Sequence, residues 1–472
     1  MAYTPVFHVD ESRHELNGEV VDHTVLNRRA FLELGGKSAL AGAAAKFTIL
    51  RPEPSGAQTG SSSNDKIRFA LIGAGVRGSQ LLQASLRVPN VECVAVSDLW
   101  DARLQGAQEY AGKALFTTKN FQEVLQRKDV DAVIVAVTDH QHCRVVTAAC
   151  SAGKDVYCEK PMSHTVEQGF EMVDAAQKNK RVMQVGSQRV SSILYAKARE
   201  IYASGALGEV FAIDAYTDRD TASGAWVYPI PPDANEQTID WNTFLIGAPK
   251  ISFDAARFFR WRGYRSYGEG LPGDLYVHLL SGIFFIANIN EVPTRAYSTG
   301  GLFRWKNAGR DQPDVIATLY DFPDVRVSVH CNSNSNAGEM TSFYGTKGTL
   351  RINDSKMTFT PYVATPGPET YSTIGWPAKL RNDYLAHWYA EHPRPDVSAY
   401  KVEEGETFAP PEHYDEVVDH EAHFFHSVRT RKSPVENEVF GNHTAIACHM
   451  ANESYFKQNV AVWDAAARKI KT

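Results

Sequence analysis

The sequence has no excess of basic charge, no long apolar run and no ordered cysteine pattern, and each absence closes a class of function. Lys and Arg number 49 against 55 Asp and Glu, a net charge of −6. That balance supplies neither an electropositive field for nucleic acid nor a polybasic membrane anchor. The six cysteines (Cys93, Cys143, Cys150, Cys158, Cys331 and Cys448) include no C-x-x-C pair and no zinc-ligand spacing. Most lie in apolar strand or helix patterns, so they read as buried free thiols rather than bridges, and no metal site is expected. The mildly apolar stretch Leu34–Leu50 is interrupted by Lys37 and Lys46 and is too short to cross a bilayer. No internal repeat is visible. What is present is ordinary for a globular chain: 472 residues, 43% hydrophobic and 22% charged, enough for two domains and a large core.

The first 64 residues read as a leader and linker rather than as fold. Asn27-Arg28-Arg29-Ala30-Phe31-Leu32 precedes the Ala/Gly/Leu-rich stretch and resembles a twin-arginine export signal. Asn27 stands where Ser or Thr is usual, and Glu33 where Lys is common. No sharp A-x-A cleavage site follows, which leaves a retained anchor open. The expectation is a periplasmic or secreted protein; a disordered arm on a cytoplasmic protein is the alternative. Pro52–Asp65, rich in Pro, Ser and Gly, reads as a flexible linker.

The chain is organised around Ile67–Gly78, IRFALIGAGVRG. An apolar strand runs into Gly73-Ala-Gly75-Val76-Arg77-Gly78, a G-x-G-x-x-G turn, and helix-forming residues follow directly. In a dinucleotide-binding reading Gly73 makes the turn, Gly75 lets backbone approach a pyrophosphate, and Gly78 lets helix and strand pack closely. The helix N-terminus offers unpaired N–H groups to the phosphates. A second strand, Val91–Ser97, ends in Asp98, 20 residues after Gly78, placed to accept from the ribose hydroxyls. Asp98 favours NAD because it repels a 2′-phosphate, while nearby Arg103 keeps NADP open. An ordinary strand-end turn is the plain alternative for Asp98.

Strand and helix patterns then alternate to Val185, which predicts a doubly wound parallel sheet over residues 65–187. Beyond it, Val210–Thr217, Thr294–Ser298, Asp314–Tyr320, Val325–Cys331 and Thr341–Tyr344 read as strands joined mostly by turns. Residues 188–472 are therefore expected to form an α+β domain with a large, mainly antiparallel open sheet and helices on one face.

Three stretches carry candidate chemistry. Glu159-Lys160-Pro161 follows the fourth parallel strand, at the carboxyl edge where ligands of open α/β sheets bind. Lys160 there can hydrogen-bond a substrate hydroxyl and lower its pKa; the bland reading is a surface turn. Asp274 and His278 fall at i and i+4 of a predicted helix, where a carboxylate can orient an imidazole as general base; the alternative is a packed, satisfied histidine. Thr138 and His142, after the third strand, are assigned to the nicotinamide side of the cleft, although the histidines of this run could equally cap the next helix. Just upstream of Asp274, Arg260, Arg262, Arg265, Tyr264 and Tyr267 suit a polyhydroxylated or acidic ligand, or a surface loop.

Taken together, the glycine turn with Arg77, Asp98, Glu159-Lys160-Pro161, Asp274…His278 and Phe343-Tyr-Gly-Thr-Lys-Gly348 resemble the glucose–fructose oxidoreductase / inositol dehydrogenase / MocA-like family. The closing Gly441-Asn-His-Thr…Cys448-His-Met-Ala-Asn looks like the tail of exported bacterial members. The resemblance implies NAD(P)-dependent hydride transfer on a sugar or polyol hydroxyl. It implies Lys160 polarising that hydroxyl, His278 as base oriented by Asp274, and a homo-oligomer, dimer or tetramer, built through the second sheet. Gly-Leu-Pro-Gly273 ahead of Asp274 departs from the plainer glycine run of many members. Export would separate the enzyme from free NAD, so the cofactor is expected to stay bound and be recycled. A redox-assisted glycoside hydrolase and an exported sugar sensor without turnover stand as alternatives.

Overall fold

The computed structural model describes residues 66–362, 367–392 and 405–472. The Arg28-Arg29 motif, the Leu34–Leu50 stretch and the linker lie outside the described residues.

Strands β1 (Ile67–Ile72), β2 (Val91–Ser97), β3 (Phe116–Thr118), β4 (Ala132–Val135), β5 (Asp155–Cys158) and β6 (Met183–Val185) form one sheet in the order β3-β2-β1-β4-β5-β6. Every neighbouring pair is parallel. Such a sheet needs apolar residues on both faces, and β4 and β5 are buried throughout. One face packs Phe69, Leu71 and Ile134 against Leu81 and Leu82 of the helix Val76–Leu86. The other packs Val133, Val135 and Val156 against helices His142–Ser151 and Val166–Lys178. The order reverses between β1 and β4, which opens the crevice at their carboxyl ends. β3 has no counterpart in the sequence reading: three partly exposed residues at a sheet edge carry no alternation to read.

The second sheet has ten strands: β7 (Val210–Asp218), β8 (Arg295–Gly301), β9 (Val315–Asp321), β10 (Arg326–Asn332), β11 (Gly338–Gly345), β12 (Gly348–Ile352), β13 (Met357–Pro361), β14 (Glu406–Phe408), β15 (Ala461–Asp464) and β16 (Lys469–Lys471). Their order is β14-β13-β12-β11-β7-β10-β9-β8-β15-β16. All pairs are antiparallel except β7 with β10. The inner face (Ile213, Ala215, Ile316, Val327, Val329, Phe343) packs on helices Ile193–Ala203, Val277–Ala287 and Glu438–Lys457. The opposite face leaves Phe211, Tyr297 and Leu319 exposed.

Toward its end the second half of the chain forms two long helices, Glu416–Thr430 and Glu438–Lys457, broken where Arg431 turns to φ 59° ahead of Pro434. Both reach back to the first sheet. Phe425 stacks on Phe69 at 5.5 Å. Ala445 enters the first sheet's core, while Ile446, Cys448 and Met450 enter the second's. No helix among the described residues is long and apolar enough to cross a membrane.

Candidate active site

The three glycines of the turn do different work. Gly73 sits at φ 96°, and a Cβ there would lie 2.4 Å from the Ala136 carbonyl oxygen. A Cβ on Gly78 would lie 1.9 Å from the carbonyl oxygen of Gly73. Both are required by the fold itself. Gly75, which precedes the helix Val76–Leu86, would meet nothing closer than the Arg103 guanidinium at 3.6 Å. Its openness leaves room for a ligand at the helix N-terminus. Val76 lies at that N-terminus, 69% exposed, and lines the cleft.

Asp98 stands at the end of β2 and ties two loops together. Its Oδ2 accepts from Ala74 N at 2.7 Å and its Oδ1 from Trp100 N at 3.0 Å. Arg103 approaches Asp98 at 3.6 Å, and its guanidinium lies 5.2–5.7 Å from the ring centres of Phe258, Phe259 and Trp100.

Those phenylalanines belong to a segment, residues 231–267, that crosses from the second half of the chain onto the carboxyl ends of β2 and β4. It is stitched down by hydrogen bonds: Asp240 N to Leu99 O (2.9 Å), Lys119 Nζ to Thr238 O (2.9 Å), Trp100 Nε1 to Asp233 Oδ2 (3.2 Å) and Gln141 Nε2 to Ile246 O (2.6 Å). His140 adds its backbone N–H to Tyr267 O and its Nε2 to Phe244 O. Trp241, Phe244, Phe258, Phe259 and Tyr267 pack into one aromatic cluster against Leu99 and Trp100. The cleft therefore has two walls. One carries Gly73–Arg77, Asp98, Thr138 and Lys160; the other carries Tyr228, Phe244, Phe258, Phe259, Trp261 and Arg262.

At the inner end, one carboxylate gathers the chemistry. Asp274 Oδ1 accepts from Lys160 Nζ and from Arg262 Nε, each at 3.0 Å. Its Oδ2 accepts from Trp226 Nε1 at 3.1 Å and from Arg219 Nη2 at 3.2 Å. Lys160 also donates to the Asp274 backbone carbonyl at 2.9 Å. Burial alone would raise this carboxyl; Lys160, Arg262 and Arg219 outweigh it and hold Asp274 well below its usual value. Trp226 reaches it from a backbone at φ 61°, a conformation bulky side chains rarely adopt.

The expected Asp274–His278 partnership is not what forms. Asp274 lies in a π-helical turn, Pro272–Tyr276, ahead of the helix Val277–Ala287. Its oxygens are taken by the four donors above. The His278 ring makes no hydrogen bond among the described residues, and its Nδ1 is buried without a partner. Burial, reinforced by the charges of Lys160 and Arg189, holds the imidazole well below its ordinary value and so neutral. Asp274 orients Lys160, not His278.

Arg77 and Glu159, both assigned to the cofactor, are partners of each other, with Arg77 Nε donating to Glu159 Oε1 at 2.6 Å. Both still line the cleft, and Glu159 Oε2 accepts from Lys160 N at 3.0 Å. Thr138 lines the cleft and pairs with His140 Nδ1 at 3.1 Å. His142 does not line it. Its ring is buried between the carbonyls of Pro161 (2.8 Å) and Val137 (3.2 Å), where it braces the loop that carries Lys160.

Arg219 and Trp226 had no role in the sequence reading, and Asp139 entered it only as part of the run from Thr138 to His142. Asp139 is buried at the cleft, accepts from Glu269 N at 3.0 Å and is pushed up to about 8 by burial. The only sequence signal for Arg219 and Trp226 is a charged and aromatic run after a long strand. Nothing local ties them to Asp274, roughly fifty residues away.

Residues 67–187 match the Gfo/Idh/MocA family model, described as an oxidoreductase family with an NAD-binding Rossmann fold. Inositol 2-dehydrogenase of Salmonella typhimurium (strain LT2) is 32% identical over 145 residues, 30% of this chain and 43% of that protein. Inositol 2-dehydrogenase 3 of Saccharopolyspora erythraea is 35% identical over 144 residues, 30% of this chain and 42% of that protein. The chain thus spans less than half the length of these curated relatives. Among solved structures, levoglucosan dehydrogenase in complex with NADH and levoglucosan superposes with a TM-score of 0.62 at 16% identity, over 84% of this chain and 98% of that one. Aldose-aldose oxidoreductase from Caulobacter crescentus, complexed with glycerol, gives 0.61 at 16% identity over 84% and 99%. That likeness is one of fold, and it extends over both sheets.

Proposed function

Starting from residues 67–187 as an NAD-binding Rossmann domain of the Gfo/Idh/MocA oxidoreductase family, we propose that the chain is an NAD-dependent dehydrogenase of a sugar or polyol hydroxyl. The observation that carries the reading is Lys160. Its side chain is only 9% exposed, and its Nζ is fixed by Asp274 at the carboxyl end of β5 beside the dinucleotide cleft. The chain's residues fit the cofactor: Gly75 leaves open space at a helix N-terminus, and Asp98 closes β2.

When bound, NAD supplies the hydride acceptor. Lys160 donates a hydrogen bond to the reacting hydroxyl and stabilises the charge that develops on its oxygen. His278, neutral and with an unpaired ring nitrogen, is the group able to take the proton. Asp274 holds the ammonium in place, and the 231–267 segment excludes water. Replacing Lys160 by Ala should lower kcat by about 10²–10⁴; a variant as active as the wild type would remove Lys160 from the mechanism.

The proposal includes a retained cofactor. At about 1 kcal/mol net per hydrogen bond, lifting the stitched segment costs several kcal/mol before its aromatic burial is counted. It also includes export through Arg28-Arg29, which a retained cofactor suits, and a homo-oligomer through the sheet face that exposes Phe211, Tyr297 and Leu319. The experiment is an absorbance scan of the purified full chain before and after denaturation. Sugars and aryl glycosides are then added to the native protein while the reduced-nicotinamide band is followed. Co-purifying nucleotide and a band that rises with sugar support the reading. Protein that arrives empty and turns over only with added NAD removes retention. Aglycone release accompanied by a transient band would select the glycosidase instead.

A further inference from the structure

The charge around Asp274 does not balance. Three cations, Lys160, Arg219 and Arg262, surround one carboxylate. The neighbouring acids do not close the gap. Glu159 is engaged by Arg77 at 2.6 Å, and Glu269 by His449 at 3.0 Å and Asn452 at 2.8 Å. Asp139 is buried and pushed up to about 8, so it carries a proton at neutral pH. At Asp274 itself the cations outnumber the carboxylate three to one. The donors themselves are also incomplete. Arg262 uses only Nε on Asp274, and neither of its terminal nitrogens has a hydrogen-bond partner among the described residues. Arg219 uses only Nη2, and its Nε is buried without a partner.

Arg262 lines the cleft beside Lys160, its guanidinium 4.3 Å from the Trp261 ring centre and its side chain about a quarter exposed. Stacking on the indole and the Nε bond to Asp274 fix the plane of the guanidinium, which leaves its outer fork directed away from the protein's own acceptors. A planar, pre-set fork of this kind matches a carboxylate bidentately and discriminates poorly among neutral hydroxyls. A substrate that brought only hydroxyl groups and displaced the water at Arg262 would leave its charge without a counter-charge, which is costly.

We infer that the substrate is a polyhydroxylated compound bearing a carboxylate, such as an aldonate or a uronate, with Arg262 as the specificity-determining residue and Arg219 adding to the positive charge behind it. The inference rests on the dehydrogenase reading above for the reaction and on the charge count and open donors for the substrate class. The reaction is unchanged: the carbinol C–H leaves as hydride, the O–H proton leaves to the base, and the carboxylate stays intact as the handle.

The test uses the full chain with its bound nucleotide and pairs of probes that differ only in charge: D-gluconate against D-sorbitol, and D-glucuronate against D-glucose and D-glucose 6-phosphate. Binding is measured by titration calorimetry, and turnover by the reduced-nicotinamide band. The expected result is that the carboxylate member of a pair binds about 10- to 100-fold more tightly than its neutral partner, the range of a charge-assisted pair. The preference should shrink with added salt and fall by a similar factor in Arg262→Gln. Arg262→Lys should recover part of it, because the charge returns without the fork. Equal binding of both members by the wild type overturns the inference, and so does a preference for the phosphate. An Arg262→Gln variant that loses nucleotide but keeps the carboxylate preference also overturns it, since the arginine would then serve the pyrophosphate. Carboxylate binding without nicotinamide reduction would sink the dehydrogenase reading alone. Reduction by neutral sugars with no carboxylate preference would sink this inference alone.

Discussion

Replacing Glu421 by Gln should stabilise the protein at neutral pH. Glu421 lies on the helix Glu416–Thr430 with no solvent exposure. Its Oε2 accepts from Ser85 Oγ at 2.9 Å, and its Oε1 has no partner among the described residues. Burial raises the carboxyl to about 8 from an ordinary 4.5, with Ser85 and Arg77 only partly opposing it and the charge of Glu159 adding to it. A carboxyl raised in the folded state contributes fully below the unfolded value of 4.5 and loses that contribution as pH rises toward about 8. At 1.36 kcal/mol per pH unit, the loss at pH 7 is roughly 3 kcal/mol. Gln escapes this loss and keeps an amide oxygen for Ser85. Its NH₂ at the Oε1 position finds no acceptor, which costs about 1 kcal/mol. The net expectation is a gain of about 2 kcal/mol at pH 7 that becomes a loss of about 1 kcal/mol at pH 4.5. Urea or thermal unfolding at the two pH values measures it. A variant destabilised equally at both refutes the reasoning, as does a carboxylate band from Glu421 in infrared difference spectra at pH 7.

The glycines of the turn should separate into two kinds: Gly75→Ala folds like the wild type but releases its nucleotide, whereas Gly78→Ala, with a Cβ 1.9 Å from a backbone oxygen, loses thermal stability or does not fold. A Gly75→Ala protein that retains NAD would place the pyrophosphate elsewhere. Asp274→Asn removes the only carboxylate that, among the described residues, is bonded to Lys160, Arg219 and Arg262 and should cost about 3–5 kcal/mol of stability, read as a fall in Tm; an unchanged Tm would mean the three cations find other partners. Because His278 is held well below its ordinary value, its role as proton acceptor requires kcat/KM to stay level down through pH 6.5 and to fall only in more acid solution. An acid limb centred at or above 6.5 and unmoved in His278→Asn removes that role.

The first sheet was legible because its signals are local. A glycine turn between a strand and a helix, an acid at the next strand end and continuous apolar runs each specify one element, and the strand–helix alternation read over residues 65–187 is the one that forms. The second sheet was legible in class but not in extent, since β14, β15 and β16 are three- or four-residue strands at or next to the sheet's edges, whose pairing is decided by tertiary contact. At the site, Lys160 stood out because a charged pair between a buried strand and a proline is unusual. Asp274 and His278 also stood out, yet their relation was misread. Helical spacing shows which residues share a face, but not that Arg219 and Trp226, distant in sequence, arrive first at the carboxylate. His142 misled for a similar reason: its position at a strand's carboxyl end fits a cleft, and only the buried carbonyls of Pro161 and Val137 reveal it as a brace.

Cofactor enclosure and substrate geometry are built here by one segment. Residues 231–267 supply the aromatic wall of the cleft, and the end of the same segment brings Arg262, packed on Trp261, to Asp274. The two roles sit close together in the chain: Phe258 and Phe259 pack beside Arg103, and Arg262, a few residues on, bonds Asp274. A cover that lifted each cycle to exchange nucleotide would also dismantle the grip on Lys160 each time. A cover that stays down keeps both, and the simplest way to turn over under it is to return the hydride to a second substrate. The donor set around Asp274 draws on four separate stretches of chain, at Lys160, Arg219, Trp226 and Arg262. Lys160 and Arg262 come from the two opposite walls of the cleft, so their meeting at one carboxylate ties those walls together.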